Sequence, residues 1–198
     1  MAGAVRARDT QQQKRSLTRH PTAFSLVHSL GGTCAFDVPL RSLGAAWAPG
    51  DAMLVNCSGL GAAALCGDAS VAPTRGVLVL VRCPGLEGVY CDESLPGPDL
   101  AYVVPKGGGV VACGGCAQPG ATRMDVPADE AAAVLRRCEA LLPALRGAPV
   151  LSAWAGLRPV REAGVRLELV VDDAGGVPVP VLHNYGCVVR TAWQRRGG

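Results

Sequence analysis

A mixed α+β fold with a mostly antiparallel sheet is what this sequence predicts, and three observations carry the prediction. Short aliphatic and β-branched runs recur along the chain, each closed by Gly, Pro or Asp turn residues. From Val77 onward these runs follow one another as hairpins, without the helices of a β–α alternation between them. One strong amphipathic pattern of helical period, after Asp125, supplies a layer to cover the strands.

With 198 residues the chain is one large domain or two small ones, and 49% hydrophobic residues suffice for a core. Aromatics make up 4%, so Ala, Val and Leu must fill most of it. The net charge is +3 and the basic residues are spread out, apart from the N-terminus and Arg195-Arg196, so there is no nucleic-acid footprint. No apolar run approaches the ~18 residues of a membrane span. The nine cysteines are odd in number and irregular in spacing. They point to a reducing compartment and mostly free thiols rather than a disulfide scaffold. Cys57 and Cys113 lie inside apolar runs, where cysteine acts as a small hydrophobe.

Taken in order, residues 1–22 are polar and basic, with Asp9 the only acid. They read either as an Arg-rich targeting segment or as a tail without fixed structure. Residues 24–30 have helical spacing and stop at Gly31-Gly32. Residues 33–40 read as a short strand, 45–51 as a loop around Pro49-Gly50, and 52–57 as a buried strand. That strand feeds Gly59-Leu-Gly61-Ala-Ala-Ala64, the G-x-G-x-x-A spacing of a nucleotide loop. Small residues there let the backbone approach a pyrophosphate at a helix N-terminus. The following helix is short and no acid stands ~20 residues on, so a plain strand-to-helix turn is the other reading.

Residues 77–82 are a clear strand, turned by Cys83-Pro84-Gly85, with a short strand expected at 87–90 and a loop at 92–99. Residues 101–105 and 109–113 form a hairpin around Lys106-Gly-Gly. Cys113-Gly-Gly-Cys116 is a CxxC in which the first cysteine is read as ending a strand. A redox pair would want a helix N-terminus there, and a zinc site a second CxxC or a His pair, and neither is present. Asp125-Val-Pro127-Ala-Asp129-Glu130 reads as a helix start, with a cap, an early proline and acids set against the dipole. Val134, Cys138, Leu141 and Leu145 then share one face. Residues 165–171 and 179–186 are strands on either side of the Asp172–Gly176 turn.

The stretch Trp154-Ala-Gly-Leu-Arg158-Pro-Val-Arg161 sets an arginine directly before a proline. Pro159 fixes its own φ and pushes Arg158 toward extended backbone, which aims the guanidinium to one side of a strand. Held that way, its parallel N–H donors match a carboxylate. The alternative is a surface arginine meeting solvent or a nearby acid.

The order of motifs resembles the D-amino-acid oxidase and D-aspartate oxidase family of FAD enzymes. The residues carrying it are Asn56-Cys-Ser-Gly-Leu-Gly61, Pro73-Thr-Arg75-Gly76, Tyr102-Val-Val-Pro105 and Gly114-Gly115. The 125–142 helix, Trp154–Arg161 with Arg166-Leu-Glu168, and His183-Asn-Tyr-Gly186 complete the series. The resemblance covers roughly 36–186 and implies part of an FAD-binding domain plus a substrate domain on a mostly antiparallel sheet. It implies oxidation of a D-amino acid to an imino acid, released as a 2-oxo acid and ammonia, with oxygen reduced to hydrogen peroxide. It gives no residue the part of a strong base, so positioning matters most. It assigns Arg158 and Tyr102 to the substrate carboxylate, Leu40, Ser58 and Gly59 to the ADP half of FAD, and Gly186 to the loop approaching the flavin. Under it the Gly59 loop is a different turn from the family's pyrophosphate fingerprint.

The same resemblance divides the chain into a tail at 1–23, a remnant of the FAD-binding domain at 24–76 and the substrate sheet and helix at 77–153. A return to the FAD domain follows at 154–186, then an atypical tail at 187–198. It also implies departures. The family's opening strand and G-x-G-x-x-G loop have no counterpart before Phe24, the segment Cys187-Val-Val-Arg190-Thr191 replaces a flavin-lining stretch, and the place of a second active-site tyrosine falls on Pro98. The expectation is a fragment of the family, cytoplasmic or peroxisomal, taking a small D-amino acid and neither nucleic acid nor membrane as partner, with no peroxisomal C-terminal tripeptide. An inactive fragment without flavin, or a small thiol-rich binding protein, are the alternatives.

Overall fold

A computed structural model describes residues 4–7, 23–48, 50–92, 94–95, 99–173 and 177–187. The fold is mixed α/β, and its larger sheet is antiparallel throughout. The chain forms two compact units, residues 1–68 with 166–185 and residues 69–165 with 186–198. Among the described residues no helix is long and apolar enough to cross a membrane.

In the first unit, β1 (Ala4–Ala7) pairs in parallel with β2 (Thr33–Phe36), and α1 (Ala23–Ser29) precedes β2. The tail was expected to carry no structure. Its four residues Ala4–Ala7 instead complete a ladder of backbone hydrogen bonds, which basic composition does not prevent. Residues 8–22 of that tail lie outside the described residues. A second sheet has the order β10 (Arg166–Asp173), β11 (Pro178–Tyr185), β3 (Leu54–Asn56), antiparallel and then parallel. The 3-10 turn Gly59–Gly61 and α2 (Ala62–Cys66) follow β3, and Gly67 ends α2 in the left-handed region at φ 66°. Leu43, Val179 and Val181 make the core, with Trp47, Leu54, Leu65, Cys66 and Val170 against it. Asp172 and Asp173 belong to β10 rather than to a turn, and 174–176 lie outside the described residues.

In the second unit, β4 (Val71–Arg82) is central. One side of it pairs with β7 (Val110–Cys116) and the short β8 (Gln118–Pro119), the other with β9 (Val150–Arg161). β6 (Asp99–Gly107) pairs with β7, and β5 (Tyr90–Asp92) with β6. α3 (Ala128–Leu141) covers one face. Its Val134 and Cys138, with Leu145, pack on Val77, Val79, Val81, Val103, Val111, Cys113 and Ala155. The alternation of β4 thus sends odd-numbered valines to the helix, as a period of two requires.

Three details depart from the sequence reading. β4 begins at Val71, not Val77, although Pro73 interrupts the run. Pro73 stands directly opposite Pro159 of β9. The carbonyl of each turns outward, Pro73 O accepting from Gly120 N at 2.8 Å and Pro159 O from Cys187 N at 2.7 Å. Neither missing N–H therefore faces the shared ladder. At the start of α3, Pro127 takes the cap position with no side-chain cap, so Asp125 is not the cap. Its carbonyl accepts from Arg75 Nη2 at 2.6 Å instead. Finally, Cys113 does not end its strand, since β7 continues to Cys116. β9, the strand carrying Arg158, lies in the second unit.

Candidate functional site

The face of the second sheet away from α3 carries glycines where large side chains would be expected. Gly76 is opposite Gly156, and Gly114 is opposite both Leu78 and Tyr102. Glycine inside a strand marks a place where another group approaches closely. Here two side chains do so. A Cβ on Gly76 would lie 2.1 Å from Arg158 Nη1, and a Cβ on Gly114 would lie 2.0 Å from Tyr102 Cζ. The glycines form a floor on which the guanidinium and the phenol rest, and they bring the two together. Arg158 Nη2 reaches the Tyr102 hydroxyl at 3.5 Å and Nη1 donates to Cys116 O at 3.2 Å.

Arg158 is half-buried, and among the described residues no carboxylate lies within ion-pair distance of it. Arg75, on β4, is the useful contrast. It is fully buried on the α3 side and donates to Glu130, Gln118, Arg123 O and Asp125 O at 2.6–3.0 Å. Arg75 is thus spent on joining the sheet to the helix, while the fork of Arg158 keeps donors for something else. Burial pushes the Tyr102 phenol above its usual pKa, with Arg158 pulling the other way. The hydroxyl is therefore protonated near neutral pH and can donate.

In the first unit, Asn56 organises the turn after β3. Its Oδ1 accepts from Ser58 N at 3.0 Å and its Nδ2 donates to Nδ1 of buried His183 at 3.0 Å, which leaves His183 protonated on Nε2. Gly59 takes φ 56°, a left-handed conformation suited to glycine. The Ser58 hydroxyl is buried without a hydrogen-bond partner among the described residues. An orphaned hydroxyl costs about 1–3 kcal/mol, so a ligand oxygen or N–H at that point would stabilise the turn. Leu40 is half-buried in the irregular stretch after β2. Tyr185 of β11 donates to Asp68 at 2.9 Å and accepts from Arg166 at 2.7 Å.

Gly186, in the second unit, has φ 86°, and a Cβ there would lie 2.9 Å from Cβ of Arg161. Of the residues singled out from sequence, Arg158 and Tyr102 meet on one floor. The glycines that make the floor possible went unnoticed as a group, although Gly within an aliphatic run was the available signal. The CxxC cysteines are both buried. Cys113 is held far above the ordinary thiol range by its hydrogen bond with Cys138 and by burial, which makes it a poor nucleophile.

A family model described as FAD dependent oxidoreductase matches residues 2–197. The chain belongs to this FAD-dependent oxidoreductase family. Among curated members it is 47% identical over 134 residues to a D-amino-acid oxidase of Rubrobacter xylanophilus, covering 68% of this chain and 39% of that protein. It is 39% identical over 134 residues to the human D-aspartate oxidase, covering 68% and 38%. The chain therefore spans well under half the length of these relatives. Among solved structures, glycine oxidase from Bacillus cereus superimposes with a TM-score of 0.56 at 25% identity, over 68% of this chain and 36% of that one. The family uses FAD. The chemistry of the first unit's turn fits a dinucleotide: an unpartnered buried hydroxyl on Ser58 and a half-buried left-handed glycine backbone beside it.

Proposed function

We propose that this chain supplies the amino-acid site of an FAD-dependent oxidase that converts D-amino acids to 2-oxo acids, ammonia and hydrogen peroxide. The observation that carries the reading is the Arg158 fork, seated on a glycine floor beside a phenol and without a carboxylate partner among the described residues. In this reading Arg158 takes the substrate carboxylate with two parallel N–H donors, and Tyr102 donates its hydroxyl to the same group. The Cys116 carbonyl accepts from Nη1 and orients the guanidinium. Ser58, Gly59 and Leu40 would hold the ADP half of FAD, and Gly186 would lie near its ring. When bound, FAD supplies the two-electron acceptor for the substrate Cα–H and hands the electrons to oxygen. Both site side chains are fixed in place and neither is a base, so their contribution is orientation. Water then hydrolyses the imino acid.

The test is the Arg158→Leu protein with FAD added, followed by flavin absorbance, peroxide release and D-amino-acid affinity. Losing one side of a partly buried charge pair costs about 3–5 kcal/mol, so binding should weaken by more than a hundredfold. Unchanged apparent affinity would remove Arg158 from the site. Wild-type protein that binds no FAD and releases no peroxide would overturn the oxidase reading for this chain.

A further inference from the structure

Tyr102 reaches the glycine floor only because the ladder beneath it is irregular. Asp99 pairs with Cys116 and Tyr102 with Gly114, so Leu100 and Ala101 together face Gly115 alone. That is a β-bulge, one extra residue on β6, and it leaves ladder groups without their usual partners. Were the extra residue absorbed, Ala101 would stand opposite Gly114 and Tyr102 would turn to the other face of the sheet. The bulge therefore decides where the phenol points.

One side chain caps this irregularity. Arg137 of α3 donates Nη2 to Gly115 O at 2.8 Å and Nε to Leu100 O at 3.3 Å. These carbonyls come from the two strands on either side of the bulge. Its contact with Asp99 is longer, 3.4 Å, to a half-exposed carboxylate. The next residue of the helix adds to the hold, with Cys138 Sγ 3.1 Å from Gly114 O. Arg137 touches neither Tyr102 nor Arg158 through its own hydrogen bonds.

We infer that Arg137 is a positioning residue for the amino-acid site: by satisfying the Leu100 and Gly115 carbonyls it locks the β6 bulge that aims Tyr102 at Arg158. The inference rests on the proposed function and deepens it, since it adds a residue behind the site that binds the substrate carboxylate.

The experiment uses the whole chain with tyrosines labelled at Cζ, and compares wild type, Arg137→Met, Arg137→Lys and Arg158→Leu. NMR follows each phenol with pH, with Tyr102 assigned from Tyr102→Phe, and D-alanine binding is measured in parallel. Burial holds Tyr102 above its ordinary value. In Arg137→Met its titration should leave the wild-type value, falling as the ring comes off the floor into solvent or rising as it turns to the α3 face. Tyr185, pushed up to about 12 in the other unit, should stay put, and the β4 amides of the second unit should keep their hydrogen-exchange protection, which reports that its sheet is intact. D-Alanine affinity should fall about tenfold or more, as displaced site groups generally cost, and Arg137→Lys should recover part of both losses. If Tyr102 titrates as in wild type in Arg137→Met while Arg158→Leu still weakens D-alanine, the positioning role is overturned. If Arg158→Leu leaves D-alanine binding unchanged, it is the carboxylate-site reading that fails.

Discussion

Replacing Gly114 with alanine is the sharpest test of the glycine floor. An ideal Cβ at that position lies 2.0 Å from Tyr102 Cζ and 2.4 Å from both Cε2 and the hydroxyl oxygen. Non-bonded carbons settle near 3.5–4.0 Å, so the ring must retreat by roughly 1.5 Å or more. Neighbours on a paired strand give little, and overpacking of this kind costs about 1–3 kcal/mol. Tyr102→Ala removes the obstacle. In that background the three nearest atoms to the added methyl are gone, and the substitution should cost far less. Urea unfolding of wild type, both single variants and the double variant then gives a coupling of about 1–3 kcal/mol between the two positions. Additivity within about 0.5 kcal/mol would refute the floor, because it would mean that the ring does not rest on Gly114. The companion substitution at Gly76 should behave differently. Its Cβ meets the far end of Arg158, at 2.1 Å from Nη1, and a long flexible side chain can swing aside. Gly76→Ala should therefore cost little stability while lifting the guanidinium from its seat, seen as weaker D-amino-acid binding.

Glu130 and His183 each carry a pH prediction. The Arg75 guanidinium, 2.7 Å from Glu130, holds that carboxyl below its ordinary value of 4.5, against burial that raises it. A depressed carboxyl stabilises the fold above its unfolded value and loses that contribution as pH falls through the folded one. Glu130→Gln should therefore be less stable at pH 7 and show a flatter acid-unfolding curve below about pH 4.5, read by circular dichroism. A curve parallel to wild type would argue against the pair. His183 is held below its ordinary value of 6.5, first by burial and then by the Arg166 charge. Its unfolded form binds a proton that the folded form refuses, so stability is full above about pH 6.5 and declines as pH falls from there toward the folded value. Urea midpoints between pH 7.5 and 5 should show this decline, and His183→Gln should remove it.

Much of this was legible in the chain. The helix of 128–141 announces itself through acids at its start and the Val134–Cys138 face, because amphipathic period and dipole are local properties. The hairpin of β6 and β7 is equally local, with its turn at Gly108-Gly109, one residue beyond the Lys106-Gly107 end of β6. Arg158 before Pro159 was readable as an extended, one-sided donor, and β9 is extended throughout. What was not legible depends on partners distant in sequence. Pro73 looks like a strand breaker until Pro159 is set against it. Asp125 looks like a cap until Arg75, a strand away, takes its carbonyl. Gly76 and Gly114 look like turn residues until Arg158 and Tyr102 lie over them. Arg137 looks like a solvated helix charge until the bulge on β6 brings the Leu100 and Gly115 carbonyls within its reach.

The facing prolines of β4 and β9 do more than tolerate each other. With both missing donors turned outward, the true alignment loses no bond between the two strands. Any alignment shifted by one residue would turn a donorless position inward against a carbonyl that needs a hydrogen. The pair works as a key that fits one way round, penalising wrong pairings instead of strengthening the right one. It sits one position from Arg158 and Thr74. The discrimination is thus greatest where an error of one residue would carry the guanidinium through to the valine side of the sheet, among groups that could neither hydrate it nor pair with it.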